Sequence, residues 1–220
     1  MNTTGVRTGY RVFSLASEKW PELIKEWEEV GVVYQIPRRS KDRLEHFCKQ
    51  CVAYLCGKRV LEIGANAGIF GYGIDKVSES YAAVEPGNRI IKKGKKPKTD
   101  YAKQLAITVG KMKNGKMFNE TISEYCKHPE DTNAFVACFA LYHFTDKEIA
   151  LLKEHVWPKC DTVIIQNRCQ DRPTKHNSYK LYKDKNVVKL FKEQGFGDIK
   201  VIPATGQDGK QQFSEIICLR

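Results

Sequence analysis

Short apolar runs punctuate the chain, each stopping at a glycine, an acid or a polar corner. Val60-Leu61-Glu62-Ile63, Tyr81-Ala82-Ala83-Val84, Ala134-Phe135-Val136-Ala137-Cys138-Phe139 and Asp161-Thr162-Val163-Ile164-Ile165 have the length and near-continuous apolarity of strands buried on both faces. Helical spacing fills the intervals. Trp20, Leu23, Ile24 and Trp27 form one stripe behind Ser17, which can cap it, and Leu44, Phe47, Cys51 and Leu55 form a second over about Asp42 to Leu55. Ile69 to Val77 and Lys185 to Gln194 read as helices, the latter ended by Gly195, and Thr145 caps another through Leu152. Asp198 to Ile202 and Phe213 to Cys218 read as two strands joined by a glycine-rich loop, a terminal hairpin. Leu105-Ala106-Ile107-Thr108-Val109 is too short for its period to decide between helix and strand. Strands alternating with helices predict an α/β, doubly wound sheet.

The corner after the first run carries the chemistry. Glu62-Ile63-Gly64-Ala65-Asn66-Ala67-Gly68 leaves a buried strand at an acid and bends through two glycines into a helix whose free N–H groups face the strand's carboxyl end. The spacing is not the G-x-G-x-x-G of a dinucleotide turn. The next strand ends in Glu85 at the distance of an acid that binds a ribose, so two acids flank one glycine turn. Such a turn suits a ligand with a cationic end and a ribose end.

These residues resemble the class I S-adenosylmethionine-dependent methyltransferases. The resemblance rests on Glu62 to Gly68, on Val84-Glu85-Pro86 and on Val136-Ala137-Cys138-Phe139-Ala140-Leu141-Tyr142-His143-Phe144, which is similar to the family's fourth motif. It implies a seven-stranded sheet, mostly parallel with an antiparallel C-terminal hairpin strand, over residues 56–220, and a helical lid segment over residues 1–55. It implies S-adenosyl-L-methionine as cofactor, contacted by Glu62, Gly64, Ala65, Asn66, Gly68, Glu85, Pro86, Phe139 and Ala140. Adenine contacts would come from Glu120, Thr121 and Ile122, with Ile122 as an apolar plate. Asn66 stands where the family often has glycine.

The fourth motif would face the methyl group. For a hydroxyl acceptor a base must take a proton, and His143 leads, with His176 second and Tyr142 as an orienting partner. The motif lacks the Asp/Asn-Pro-Pro-Tyr/Phe of base-amine methylation, and its Leu-Tyr-His is similar to that of O-methylating enzymes and of wobble-uridine tRNA modification enzymes. Arg38 and Arg39 before the first strand, and Asn167, Arg168 and Arg172 after the fifth, suit an anionic acceptor group.

Charge narrows the acceptor. From Arg89 to Lys116 ten cations meet one anion, a local +9 within a chain of formal charge +11. A block of this kind neutralises phosphates, so RNA or DNA joins an anionic small molecule among the acceptors, with RNA favoured. A lysine-rich, solvated face is the plainer reading of the same block. Eight cysteines without a signal-peptide core, and no apolar stretch of membrane length, fit a soluble, cytoplasmic or other reducing intracellular setting. His46, Cys48, Cys51 and Cys56 cluster soft ligands, but Cys51 belongs to an apolar helical stripe and no second C-x-x-C follows, so no metal centre is predicted. Two other classes fit parts of the pattern: a nucleotide-dependent oxidoreductase, and a non-catalytic partner that binds RNA or activates another methyltransferase.

Overall fold

The computed structural model describes residues 17–18, 20–29, 38–86, 101–168, 181, 183–205 and 211–220. Its centre is a seven-stranded sheet in the order β3-β2-β1-β4-β5-β7-β6. These strands are β1 (Arg59–Ile63), β2 (Ser80–Val84), β3 (Gly115–Phe118), β4 (Ala134–Cys138), β5 (Thr162–Arg168), β6 (Asp198–Thr205) and β7 (Gln211–Leu219). Strands β1 to β5 pair in parallel, and β7 runs antiparallel to both β5 and β6. The terminal hairpin therefore inserts its second strand beside β5 and leaves β6 at the edge.

Alternation along each central strand sends its side chains into two separate cores. Leu61, Ile63, Phe135, Ala137, Val163 and Ile165 bury on one face, while Val60, Val136, Cys138 and Ile164 bury on the other. A strand covered on both sides has no reason to alternate polar with apolar, which is why these runs read as continuous.

Helices cover both faces. Helix α1 (residues 20–29) and helix α2 (Arg38–Cys51), with the 3₁₀ turn Val52–Leu55 behind it, precede the sheet. Leu44, Phe47, Cys48 and Cys51 share a core with Val60, Tyr81, Ile164 and Ile217, so α2 lies directly on the sheet. Then follow α3 (Ile69–Ile74), α4 (Tyr101–Gly110), α5 (Ile122–Tyr125), α6 (Asp146–His155) and α7 (Asp184–Glu193). Thr121 and Thr145 each close a capping box, with Glu124 and Glu148 reaching back to the cap N–H.

The ambiguous stretch around Leu105 is helix α4, because Leu105 and Val109 bury one turn apart against the sheet. Strand β3 carries no clear signal in the sequence. It lies at the edge, and Gly115, Met117 and Phe118 are only partly buried. No helix among the described residues is long and apolar enough to cross a membrane.

Candidate active site

The strand order reverses between β1 and β4, and a crevice opens outside their carboxyl ends, where open α/β sheets bind ligands. The turn after β1 shapes it. Gly64, Asn66 and Gly68 all lie in the left-handed region, at φ of 76°, 51° and 75°. A Cβ on Gly64 would sit 2.7 Å from the Ala140 Cβ, and one on Gly68 2.6 Å from Leu105 Cδ1. Both glycines thus let β1 approach the end of β4 and let α3 approach α4, besides supplying positive φ.

Glu85 closes the turn from β2. Its Oε2 accepts the Asn66 backbone N–H at 2.9 Å, and the Asn66 side-chain amide donates to the Gly64 carbonyl at 3.1 Å. Glu62 is buried at 1% exposure and accepts the Tyr81 hydroxyl at 2.5 Å. Burial pushes its carboxyl up to about 7, the Tyr81 bond pulls it down, and the charge of Glu85 adds to the rise.

Two cavities meet at this turn, sharing Gly64, Asn66 and Phe139. One, of about 240 Å³, holds Arg43, Glu62, Ala65, Phe70, Tyr101 and Cys138. The other, of about 270 Å³, holds Glu85, Pro86, Glu120, Thr121, Ile122 and His143. Phe139 stands between them at φ 54°, a conformation that non-glycine residues adopt at a cost and that clusters at functional sites. Its N–H donates to the Gln166 carbonyl at 2.8 Å, and the Arg43 guanidinium lies 4.3 Å over its ring.

The expected cofactor residues gather here. All of them line one cavity or the other except Gly68, which caps α3 beneath the turn. The Thr121 hydroxyl is taken up in its capping box, donating to Glu124 Oε2 at 2.9 Å, which leaves Glu120 as the polar side chain of this segment in the second cavity, with His128 Nε2 3.2 Å from its carboxylate.

The expected catalytic and acceptor residues are more scattered. His143 is exposed and lines the second cavity, beside Glu85 and Thr121. Tyr142 is buried, lines neither cavity and sets its ring at a tilt, with its centroid 4.4 Å from that of His143. Asn167 is buried and donates to Asp184 Oδ1 at 2.8 Å, tying β5 to α7. Arg38 and Arg39 open α2 and Arg168 ends β5, with side chains outside the described residues, as are Arg172 and His176 altogether. Of the basic block, Arg89 to Asp100 also lies outside them, while Lys111 pairs with Glu26 and Lys116 with Glu130 at 2.9 Å.

Arg43, Phe70 and Tyr101 join the site without having been singled out by the sequence. Arg43 belongs to the cationic stretch that opens α2, and nothing in a helical run of charge marks which member faces a cavity.

No protein-family model matches the chain, and no curated protein matches it in sequence. Solved structures do match it. The N-methyltransferase NodS from Bradyrhizobium japonicum WM9 superposes at TM-score 0.64 with 11% identity, over 84% of this chain and 99% of that one. The magnesium protoporphyrin IX methyltransferase ChlM from Synechocystis PCC 6803, solved with bound SAM, gives 0.59 and 11% over 89% and 90%. The methyltransferase domain of bacterial CtHen1-CN gives 0.58 and 10% over 81% and 97%. With the strand order and its reversed hairpin, these likenesses show that the chain has the fold of the class I, Rossmann-like S-adenosylmethionine-dependent methyltransferases.

Proposed function

We propose that this chain is an S-adenosylmethionine-dependent methyltransferase that holds its cofactor across the two joined cavities. The observation that carries the reading is their charge pattern. Arg43 and Glu62 in the first cavity match the carboxylate and ammonium of the cofactor's amino-acid half. Glu85 in the second matches the ribose hydroxyls, Glu120 the exocyclic amine of adenine, and Ile122 one face of its ring. Phe139, at the junction, falls beside the sulfonium.

A bound cofactor of this kind supplies a methyl group already activated for transfer. The protein then aligns the acceptor, excludes water and handles a proton. O-methylation is supported by the Leu141-Tyr142-His143 turn, and an anionic acceptor, RNA first, by the chain's formal charge of +11. Intact glycines and both flanking acids favour catalysis over a non-catalytic partner, and the inserted antiparallel β7 favours this cofactor over a nicotinamide.

Titration calorimetry with S-adenosylhomocysteine and with 5′-methylthioadenosine, which lacks the amino-acid half, tests the reading. The unaltered chain should bind both. Arg43→Ala should weaken the first by about 10- to 100-fold, the effect of one lost charge-assisted hydrogen bond, and spare the second. Glu85→Ala should weaken both. Failure of the unaltered chain to bind either compound sinks the reading.

A further inference from the structure

Beneath Phe139 lies a buried acid that cofactor binding does not use. Glu215 of β7 has no exposed surface, yet its carboxylate gathers three neighbours. His46 Nδ1 lies 3.1 Å from Oε1, Gln166 Nε2 donates to Oε1 at 2.7 Å, and the Cys51 thiol points at Oε2 from 3.7 Å. Gln166 also donates to the Arg43 carbonyl at 3.2 Å, joining this cluster to the helix turn that lines the first cavity.

His46 sits one turn beyond Arg43 on α2, and residues three apart share a helix face. Its ring meets Phe213 edge-on at 5.2 Å, and Phe213 meets Phe139 edge-on at 5.9 Å. The imidazole keeps 23% of its side-chain surface exposed. With Nδ1 engaged by the carboxylate, Nε2 has no hydrogen-bond partner among the described residues, the arrangement in which a carboxylate sets the tautomer of a general base and stabilises its charged form.

Resting on the methyltransferase reading above, we propose that His46, held by Glu215, is the base that removes the acceptor's proton. The proton moves to His46 Nε2 as the acceptor's oxygen bonds to the methyl carbon and the carbon–sulfur bond breaks, its electron pair remaining on sulfur. The imidazolium is balanced by the Glu215 carboxylate and returns its proton to solvent at the ring's exposed edge. His143 opens on the cavity assigned to adenosine, while His46 lines neither cavity and is joined to Phe139 at their junction through Phe213.

The surroundings suit the role. Burial pushes the Glu215 carboxyl up, and the bonds from His46 and Gln166 pull it back. The other titratable groups facing that carboxylate are the thiols of Cys48 and Cys51 on α2 and of Cys138 on β4, all raised by burial and therefore neutral near pH 7. Among these groups Glu215 is the carboxyl that meets the His46 ring.

Two measurements test the assignment on the full chain with S-adenosylhomocysteine affinity as the control. In long-range ¹H–¹⁵N spectra, neutral His46 should be the Nδ1–H tautomer. Tritiated methyl transfer to total RNA and to a small-molecule extract should fall about 100-fold or more in His46→Asn, the usual worth of a general base, with unchanged S-adenosylhomocysteine affinity. In Glu215→Gln the kcat for transfer should fall with the KM for the acceptor unchanged, a split that a merely structural pair would not produce. An Nε2–H tautomer at His46, full transfer by His46→Asn, or a loss confined to His143→Ala overturns the proposal and leaves the cofactor reading standing. Absence of transfer to both pools by the unaltered chain overturns both.

Discussion

Replacing Glu62 by glutamine should stabilise the protein and cripple its ligand site in the same stroke. Burial lifts this carboxyl from an ordinary 4.5 to about 7. A rise of that size is about 3 kcal/mol against ionising the folded chain. The sign follows from proton binding: the unfolded chain gives up this proton near pH 4.5, while the fold keeps it until about 7. The group's contribution is therefore whole below about pH 4.5 and is lost as the pH climbs through about 7. Glutamine keeps an oxygen for the Tyr81 hydroxyl and carries no charge at any pH. The gap in unfolding free energy between Glu62→Gln and the unaltered chain should thus widen by about 2.5 kcal/mol between pH 5 and pH 8. Glu215 and the buried cysteines are common to both chains and cancel. Urea titrations at the two pH values read the gap directly, and the variant should bind S-adenosylhomocysteine more weakly because the ligand's ammonium loses its partner. A gap that stays constant or narrows would show that Glu62 ionises freely, and the argument from its burial would be refuted.

Two further substitutions probe the packing behind the turn. Gly68→Ala must hold φ near +75° and place a methyl 2.6 Å from Leu105 Cδ1, so it should cost about 2–4 kcal/mol by denaturant unfolding and weaken ligand binding with it; a neutral result would deny the close approach of α3 to α4. Gln104 is fully buried and neither amide atom has a hydrogen-bond partner among the described residues, so Gln104→Met should stabilise by about 1–2 kcal/mol. A loss of stability there would mean that the amide is satisfied after all.

What the sequence discloses follows from how local each signal is. The central strands are buried on both faces, so their apolarity is continuous and their carboxyl ends are marked by the change to Gly64, Glu85 and Phe139. The motifs in order are enough to reach the fold, and the cavities form around the same residues. Strand β3 escapes notice because an edge strand of four residues with partly buried positions has no period to display. The His46–Glu215 pair escapes for another reason: its members are 169 residues apart, and only pairing of β7 with β5 brings Glu215 opposite Gln166. Seen locally, His46 belongs to a soft-ligand cluster with Cys48 and Cys51, whereas in space those cysteines pack into the core and His46 turns to Glu215.

Helix α1 packs behind the turn and ties together two parts of the molecule that share no bond in the sheet. Trp27 is wholly buried, packs with Leu23 and Ala67, and donates its indole N–H to the Gln104 carbonyl at 3.2 Å. Its seat is the underside of the loop whose upper side faces the crevice. By reciprocity, any occupant that steadies that loop must also steady the grip on residues 20–29, and a cut or a bulky fusion that dislodges the tryptophan must loosen the occupant by the same factor. The amino-terminal helix is in this sense a handle on the crevice, reachable from outside without touching it.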